Sequence, residues 1–214
     1  PHALSTSYNY IHGHHATKKA CTYAIIGRHP MLLIGSPGIG KTMLIDHMAS
    51  ITPPLGTNKA IENTCIESLI HPNPSFSAAA PFRAPHHSIT YAGMLGGKTP
   101  PLPGEITRAN HGILFLDELG EYHRSILDML REPMETQCIR ISRAGHSLSY
   151  PANFLLIAAM NPCHCGHYFD TYIACQCHPK KIKQYWQKLS RPLLDRISIV
   201  EQNYASGEQT RIAS

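Results

Sequence analysis

The sequence predicts an α/β fold of three layers, with helices on both faces of a mainly parallel sheet. This prediction depends on three short and wholly apolar runs, residues 31–34, 113–116 and 154–160. Runs of this kind are typical of parallel strands, which are buried on both faces. Helical segments and a glycine-rich turn separate the runs, as expected where crossover helices connect parallel strands.

The other elements follow from local patterns along the chain. We predict a long irregular insertion over 52–104, because this stretch is rich in proline and shows little periodicity. Alternating residues on either side of Ala144-Gly145-His146 predict a β-hairpin. The remaining predictions are helices over 14–27, 41–50, 123–132 and 180–189, and an apolar stretch over 193–200 that leads into a strand.

The composition is that of a folded domain. The 214 residues are 43% hydrophobic and 15% charged, whereas disordered chains are usually rich in charge. The longest apolar run, 154–160, is far shorter than the ~20 residues of a membrane-spanning helix, so we expect no membrane partner. Residues 1–10 lack the pattern of a signal peptide. The formal net charge of +5 permits an anionic partner without requiring one.

A phosphate-binding loop follows the first apolar run. Its eight residues match G-x-x-x-x-G-K-[ST] and are Gly35, Ser36, Pro37, Gly38, Ile39, Gly40, Lys41 and Thr42. The glycines let backbone N–H groups turn towards a phosphate chain, and the helix that begins near Lys41 directs its positive end at the same anion. Lys41 is expected to reach the β- and γ-phosphates of ATP, and Thr42 to bind Mg²⁺. The alternative is a glycine-rich turn without a ligand.

An acidic pair ends the second apolar run. Asp117 and Glu118 follow Ile113-Leu-Phe-Leu116, which is the form of a Walker B motif. Asp117 is expected to hold Mg²⁺ through water. Glu118 is expected to polarise the water that attacks the γ-phosphate. The alternative is an acidic pair that caps the next helix. Together the two motifs predict a P-loop NTPase that hydrolyses ATP.

Longer segments make the chain resemble the AAA+ ATPases, and more narrowly the magnesium-chelatase-related family that includes the bacterial proteins YifB and ComM. The resemblance covers about residues 10–203. The segments that carry it include Ala80-Pro-Phe-Arg-Ala-Pro-His-His-Ser88, Leu130-Arg-Glu-Pro-Met-Glu135, Ala158-Ala-Met-Asn-Pro-Cys-His-Cys-Gly166 and Pro192-Leu-Leu-Asp-Arg-Ile197. It implies a cytoplasmic protein that forms a ring hexamer. ComM-like members are linked to DNA branch migration in natural transformation, and chelatase subunits drive metal insertion into a porphyrin.

The resemblance also implies roles for individual residues. Asn161 matches the sensor 1 position, where an amide reads the γ-phosphate; the alternative is an Asn that closes a turn. Arg196 matches the arginine finger, which acts on the ATP of a neighbouring subunit; the alternative is a pair with Asp195. The family usually has an aspartate where this chain has Ser198. Arg143, in a hairpin near the central pore, and Lys98, in the helix 2 insert, are candidate DNA contacts.

Four cysteines lie in one window, where Cys163-x-Cys165 is followed by Cys175-x-Cys177. Four thiolates suit a tetrahedral structural Zn²⁺, with His164, His167 or His178 as possible substitute ligands. Disulfides and unliganded thiols are the alternatives, and a cytosolic setting disfavours disulfides. For the adjacent His86 and His87 we favour packing or hydrogen bonding over metal binding.

These observations predict an AAA+ nucleotide-binding core over residues 1–204, with the small Cys-rich insertion at 163–177 and β-hairpin insertions. Residues 205–214 would be a C-terminal tail, without room for the helical lid of AAA+ proteins. Because the chain begins without Met, we expect a fragment. Two other functions stay open. One is a chelatase-type motor that acts on a protein, and the other is a nucleotide-dependent regulatory module with little turnover.

Overall fold

The computed structural model describes residues 13–97, 101–143, 146–204 and 207–212. The helices are α1 (His15–Gly27), α2 (Lys41–Ile51), α3 (Thr57–Ser68), α4 (Tyr91–Leu95), α5 (Glu105–Arg108), α6 (Arg124–Met129), α7 (Arg131–Thr136), α8 (Pro179–Gln187) and α9 (Arg191–Leu194). The strands are β1 (Met31–Gly35), β2 (Phe82–Arg83), β3 (Gly96–Gly97), β4 (Leu102–Pro103), β5 (Ile113–Leu116), β6 (Cys138–Arg143), β7 (His146–Pro151), β8 (Leu155–Met160), β9 (Ile199–Tyr204) and β10 (Gly207–Ile212).

A six-stranded sheet with the order β10-β9-β1-β8-β5-β2 forms the centre of the molecule. The five strands from β9 to β2 are parallel, and β10 pairs with β9 in the antiparallel direction. The predicted α/β fold with a mainly parallel sheet is therefore confirmed. Strand β10 lies within the segment that was predicted as a tail.

Alternate residues of the three central strands enter two separate cores. Leu32, Leu114 and Leu156 point to one face of the sheet. Their neighbours Leu33, Phe115 and Ile157 point to the other. Since successive side chains of a strand point to opposite faces, both faces of the sheet are covered. Helices α1 and α2 contribute to the second core, and α6 and α8 to the first, which gives three layers.

The prediction of an irregular insertion over 52–104 is wrong, because this stretch contains α3, α4 and three short strands. Helix α3 buries only Ala60 and Ile66, so it lacks the apolar stripe by which helices are recognised. Polar contacts hold it instead. Asn63 Nδ2 donates to the carbonyl oxygen of Asn110 at 2.9 Å. The carboxylate of Glu67 lies 3.1 Å from Arg108 Nε.

The single helix predicted over 123–132 is wrong as well, because it is divided into α6 and α7 at Leu130. Pro133 explains the break: without an N–H it cannot donate to the carbonyl oxygen of Met129, as a continuous helix requires. The predicted hairpin is confirmed as β6 and β7, in which Ile141 lies opposite Leu148. Within the described ranges, no helix is long and apolar enough to cross a bilayer.

Candidate nucleotide-binding site

The site lies where three adjacent parallel strands end. In the sheet, β8 lies between β1 and β5, and all three run in the same direction. The phosphate loop therefore follows β1 at the same edge at which Asp117 follows β5 and Asn161 follows β8. Ligands of open α/β sheets bind at the carboxyl ends of the strands, so the topology assembles these predicted residues at one site.

The phosphate loop turns sharply into α2. Gly40 caps this helix with a φ of 82°, a left-handed conformation that favours glycine over residues with a side chain. The ammonium group of Lys41 donates to the carbonyl oxygens of Gly35 at 2.8 Å and Ser36 at 2.9 Å. It also donates to Oδ1 of Asn161 at 2.9 Å. The lysine of the loop thus contacts the predicted sensor residue directly.

Burial lowers the pKa of Lys41 below its ordinary value, while the charges of Asp117 and Glu118 act in the opposite direction. Desolvation disfavours the charged form of a lysine, and nearby carboxylates favour it. A bound triphosphate would add further negative charge beside the ammonium group. The site is therefore electrostatically suited to an anion, because an anion would stabilise the charged lysine.

Thr42 and Asp117 are brought together across the site. The Thr42 hydroxyl donates to Oδ2 of Asp117 at 3.0 Å, and Oδ1 of Asp117 accepts from the backbone N–H of Glu118 at 2.8 Å. Hydroxyl and carboxylate oxygens are the hard ligands that Mg²⁺ prefers. The residues therefore fit the predicted magnesium site.

Glu118 stands at the turn that follows β5, with a φ of 51°. Its side chain is 57% exposed, and Oε2 lies 3.5 Å from Nε2 of His87. A cavity of about 290 Å³ lies beside this contact, and it is lined by Thr42, Asp46, Ala84, Pro85, His86, His87, Phe115, Asp117 and Glu118. The predicted catalytic carboxylate and the predicted metal ligands therefore line one open cavity.

The two histidines differ in their contacts. Nδ1 of His86 lies 2.8 Å from the hydroxyl oxygen of Ser88, in the local hydrogen bonding that we favoured for this pair. His87 instead faces Glu118, a position that the sequence did not reveal. The only sequence signal for His87 is its position in the segment from Ala80 to Ser88, which resembles the family.

Arg196 lies outside this cavity. Its guanidinium group donates to the carbonyl oxygen of Pro192 and forms an ion pair with Glu135 of α7. Among the described residues, its buried Nε has no hydrogen-bond partner. The carboxylate that it contacts belongs to Glu135 rather than to the adjacent Asp195 that we considered.

The candidate DNA contacts are only partly described. Lys98 lies outside the described residues, and of Arg143 only the backbone, at the end of β6, is described. The hairpin itself is anchored on the core by Ile139, Ile141 and Tyr150.

The four cysteines of the Cys-rich insertion converge. Their sulfur atoms all lie within 4.8 Å of one another, and the four residues are free cysteines. Burial raises the pKa of Cys165, but hydrogen bonds from the backbone of His167 and Gln176 outweigh it and lower the pKa to about 6. The pKa values of Cys163, Cys175 and Cys177 are raised, so a metal is indicated by the geometry: four sulfur atoms this close together are the ligand set of a tetrahedral Zn²⁺. The donor set therefore fits Zn²⁺.

The sequence also does not predict a role for Asp170, which lies between the two cysteine pairs. Its Oδ2 accepts from the hydroxyl of Ser36 in the phosphate loop at 3.4 Å. Its Oδ1 accepts from the backbone N–H groups of Tyr172 at 2.9 Å and Ile173 at 3.2 Å. No sequence pattern indicates this contact, because 134 residues separate Asp170 from Ser36.

Comparison with known proteins places this site in a family context. The family described as magnesium chelatase, subunit ChlI, matches residues 7–210. The chain is 44% identical over 189 residues to competence protein ComM of Haemophilus influenzae, covering 87% of this chain and 37% of that protein.

Two further relatives differ in their degree of similarity to this chain. The chain is 41% identical over 199 residues to the uncharacterized protein YifB of Escherichia coli, covering 92% of this chain and 39% of that protein. It is 27% identical over 184 residues to the magnesium-chelatase 67 kDa subunit of Heliobacterium mobile, covering 71% of this chain and 27% of that protein. The chain thus spans less than half the length of these curated relatives.

Proposed function

The chain belongs to the family of magnesium chelatase subunit ChlI, in its YifB/ComM branch, and we propose that it is the ATP-hydrolysing core of an AAA+ motor that acts on DNA. The observation that carries this proposal is the meeting of Lys41 and Asn161, 2.9 Å apart, beside the Thr42–Asp117 pair. Three chain segments far apart in sequence supply one phosphate-binding and metal-binding edge.

In the proposed reaction, the backbone of residues 35–42 surrounds the phosphates of ATP and Lys41 moves from its carbonyl partners to the β- and γ-phosphate oxygens. Thr42 and Asp117 would hold Mg²⁺, which neutralises charge on the phosphates. Asn161 orients the γ-phosphate and the water. Glu118 accepts a hydrogen bond from that water and polarises it for attack.

Oligomerisation completes the proposed site. We assign Arg196 as the residue that enters a neighbouring subunit, because its contacts lie away from its own cavity and its Nε lacks a partner among the described residues. A guanidinium group there stabilises the charge that develops on the transferred phosphoryl group. The family resemblance favours a ring hexamer and a cytoplasmic location.

DNA is the proposed object of the motor. Similarity to competence protein ComM supports a role in competence. The family resemblance implies that this role is DNA branch migration during natural transformation. Lys98 and Arg143 are the proposed contacts to the phosphate backbone. The similarity to a magnesium-chelatase subunit keeps a protein partner as the alternative.

The test is the rate of ATP hydrolysis by the purified protein, with and without branched DNA. The proposal predicts Mg²⁺-dependent hydrolysis that branched DNA stimulates. Hydrolysis without stimulation would favour the chelatase-type motor. Tight nucleotide binding without hydrolysis would instead favour a regulatory module.

A further inference from the structure

We propose that Cys163, Cys165, Cys175 and Cys177 bind one Zn²⁺ that braces the phosphate loop, so that loss of the metal weakens nucleotide binding. The inference deepens the proposed function and rests on it for its nucleotide readout. It joins two observations, the arrangement of the four thiols and the contacts that the same insertion makes with the loop.

The thiols have the spacing of a tetrahedral site. The sulfur of Cys163 lies 3.4 Å from that of Cys165 and 3.7 Å from that of Cys175, and Cys165 lies 3.5 Å from Cys175. A zinc ion with Zn–S bonds of about 2.3 Å places its sulfur ligands roughly 3.8 Å apart. Small movements of the side chains would therefore complete the site.

Backbone N–H groups support the sulfur atoms. The N–H of Cys165 donates to the sulfur of Cys177 at 3.4 Å, and the N–H of Cys177 donates to the sulfur of Cys175 at 3.4 Å. Hydrogen bonds to the atoms that bind a metal orient those atoms and are part of a working metal site. The insertion therefore supplies both the ligands and their supports from its own backbone.

The first contact with the phosphate loop is steric. Gly166 packs so closely on Pro37 that a Cβ atom at residue 166 would lie 2.3 Å from Pro37 Cδ. Gly166 also has a φ of +82°, which favours glycine. The turn between the cysteine pairs is thus shaped against the loop that would hold the phosphates.

The second contact is the hydrogen bond from Ser36 to Asp170. Asp170 is in turn held by the N–H groups of Tyr172 and Ile173, so the carboxylate is fixed by the insertion and directed at the loop. The insertion begins two residues after Asn161, which contacts Lys41. The segment from Asn161 to Asp170 therefore contacts the phosphate loop at Ser36, Pro37 and Lys41.

The start of the insertion packs on the core, where Cys163 is buried and the ring of His164 contacts the ring of Tyr185. The outer residues of the insertion, Tyr168, Phe169, Tyr172 and Ile173, are exposed large hydrophobic side chains and contribute little to the core. Where an apolar core is small, metal binding supplies the free energy that orders a segment. Without the metal, we expect the loop to lose its contacts at residues 36 and 37.

The experiment measures zinc and nucleotide on the same samples of purified protein. Zinc is measured by mass spectrometry, and nucleotide affinity by titration with a fluorescent ATP analogue. We expect about one zinc per chain. Cys175→Ser should lose zinc and bind nucleotide several-fold more weakly, because the insertion is then no longer ordered by the metal against the phosphate loop. Cys65→Ser, on α3 and outside the cluster, should keep both properties.

A second measurement does not depend on how the cysteine variant folds. Zinc is removed from the wild-type protein with a chelator, and Zn²⁺ or Mg²⁺ is then added back. We expect weaker nucleotide binding after removal and recovery with Zn²⁺ alone. Asp170→Ala should keep zinc, because its carboxylate is not one of the four ligands, but weaken nucleotide binding several-fold, because it removes the link to Ser36 together with the bonds from His167, Tyr172 and Ile173.

Two results would overturn the inference. One is purified protein that contains less than half an equivalent of zinc and takes up none. The other is zinc-free protein that binds nucleotide as tightly as the loaded protein. If loaded protein binds no nucleotide at all, the proposed function fails and the bracing role fails with it, whereas the zinc content still decides whether the metal site exists.

Discussion

The proposed nucleotide-binding edge of the sheet, formed by the phosphate loop, Asp117 and Asn161, and the hairpin of β6 and β7 differ in the contacts that fix them to the rest of the molecule. At the edge, Lys41, Asn161 and Asp117 come from three neighbouring strands and contact one another or the phosphate loop. The hairpin of β6 and β7 is a separate two-stranded sheet, anchored by buried Ile139 and Ile141. We infer that chemistry is concentrated at the edge, whereas the hairpin is free to present side chains to a partner.

The second difference is between the two insertions themselves. The Cys-rich insertion touches the phosphate loop through Asp170 and Gly166. The hairpin instead contacts Pro101, whose carbonyl oxygen accepts a hydrogen bond from the Tyr150 hydroxyl at 2.8 Å. Changes in the first insertion should therefore alter nucleotide binding, and changes at exposed positions of the hairpin should alter partner binding alone.

The largest expected effect concerns Arg196, which lies in neither region. Arg196→Ala should lower the rate of ATP hydrolysis by about 10³-fold or more, because an arginine finger stabilises the transferred phosphoryl group. Nucleotide affinity should change little. Steady-state phosphate release and nucleotide titration measure the two effects.

Oligomers mixed from two variants provide the control for a role of Arg196 in a neighbouring subunit. Oligomers that combine Arg196→Ala subunits with Lys41→Ala subunits should recover part of the activity, since an intact arginine can then face an intact phosphate loop. Absence of any recovery, in oligomers shown to be mixed, would indicate that Arg196 acts within its own subunit or only in folding.

The next largest effect tests whether the hairpin contributes to DNA binding without affecting nucleotide binding. Arg143→Ala should reduce the slope of log DNA affinity against log salt by about 0.9, the loss of one phosphate contact, while nucleotide affinity stays unchanged. The measurement is fluorescence anisotropy with branched DNA at several salt concentrations. Arg140→Ala, at an exposed position on the same strand, is the matched control. An unchanged slope for Arg143→Ala would remove this residue from the DNA interface.

The smallest effect concerns His87, 3.5 Å from Glu118. An exposed contact of this kind is worth about 0.2–1 kcal/mol. His87→Ala should therefore raise basal hydrolysis by no more than about fivefold, because Glu118 becomes more available to water. His86→Ala, which removes only the local contact with Ser88, should leave the rate unchanged. A lower rate for His87→Ala would show that the contact supports Glu118 rather than restrains it.

The proposed nucleotide-binding edge could be predicted from the sequence because two local patterns specify it, the apolar runs and the motifs that directly follow them. Wholly apolar runs give buried parallel strands, and the residues that follow them must lie at one edge of the sheet. Helix α3 could not be predicted, since its contacts are polar ones with Asn110 and Arg108. The links from Asp170 to Ser36 and from His87 to Glu118 join distant segments, and no local pattern encodes them.

The central claim is that this chain hydrolyses ATP with Glu118 polarising the attacking water. The most direct test measures nucleotide affinity and phosphate release together for the wild type and Glu118→Gln. We predict that Glu118→Gln binds ATP as the wild type does but hydrolyses it about 10²- to 10⁴-fold more slowly. Hydrolysis by Glu118→Gln at the wild-type rate would contradict the account.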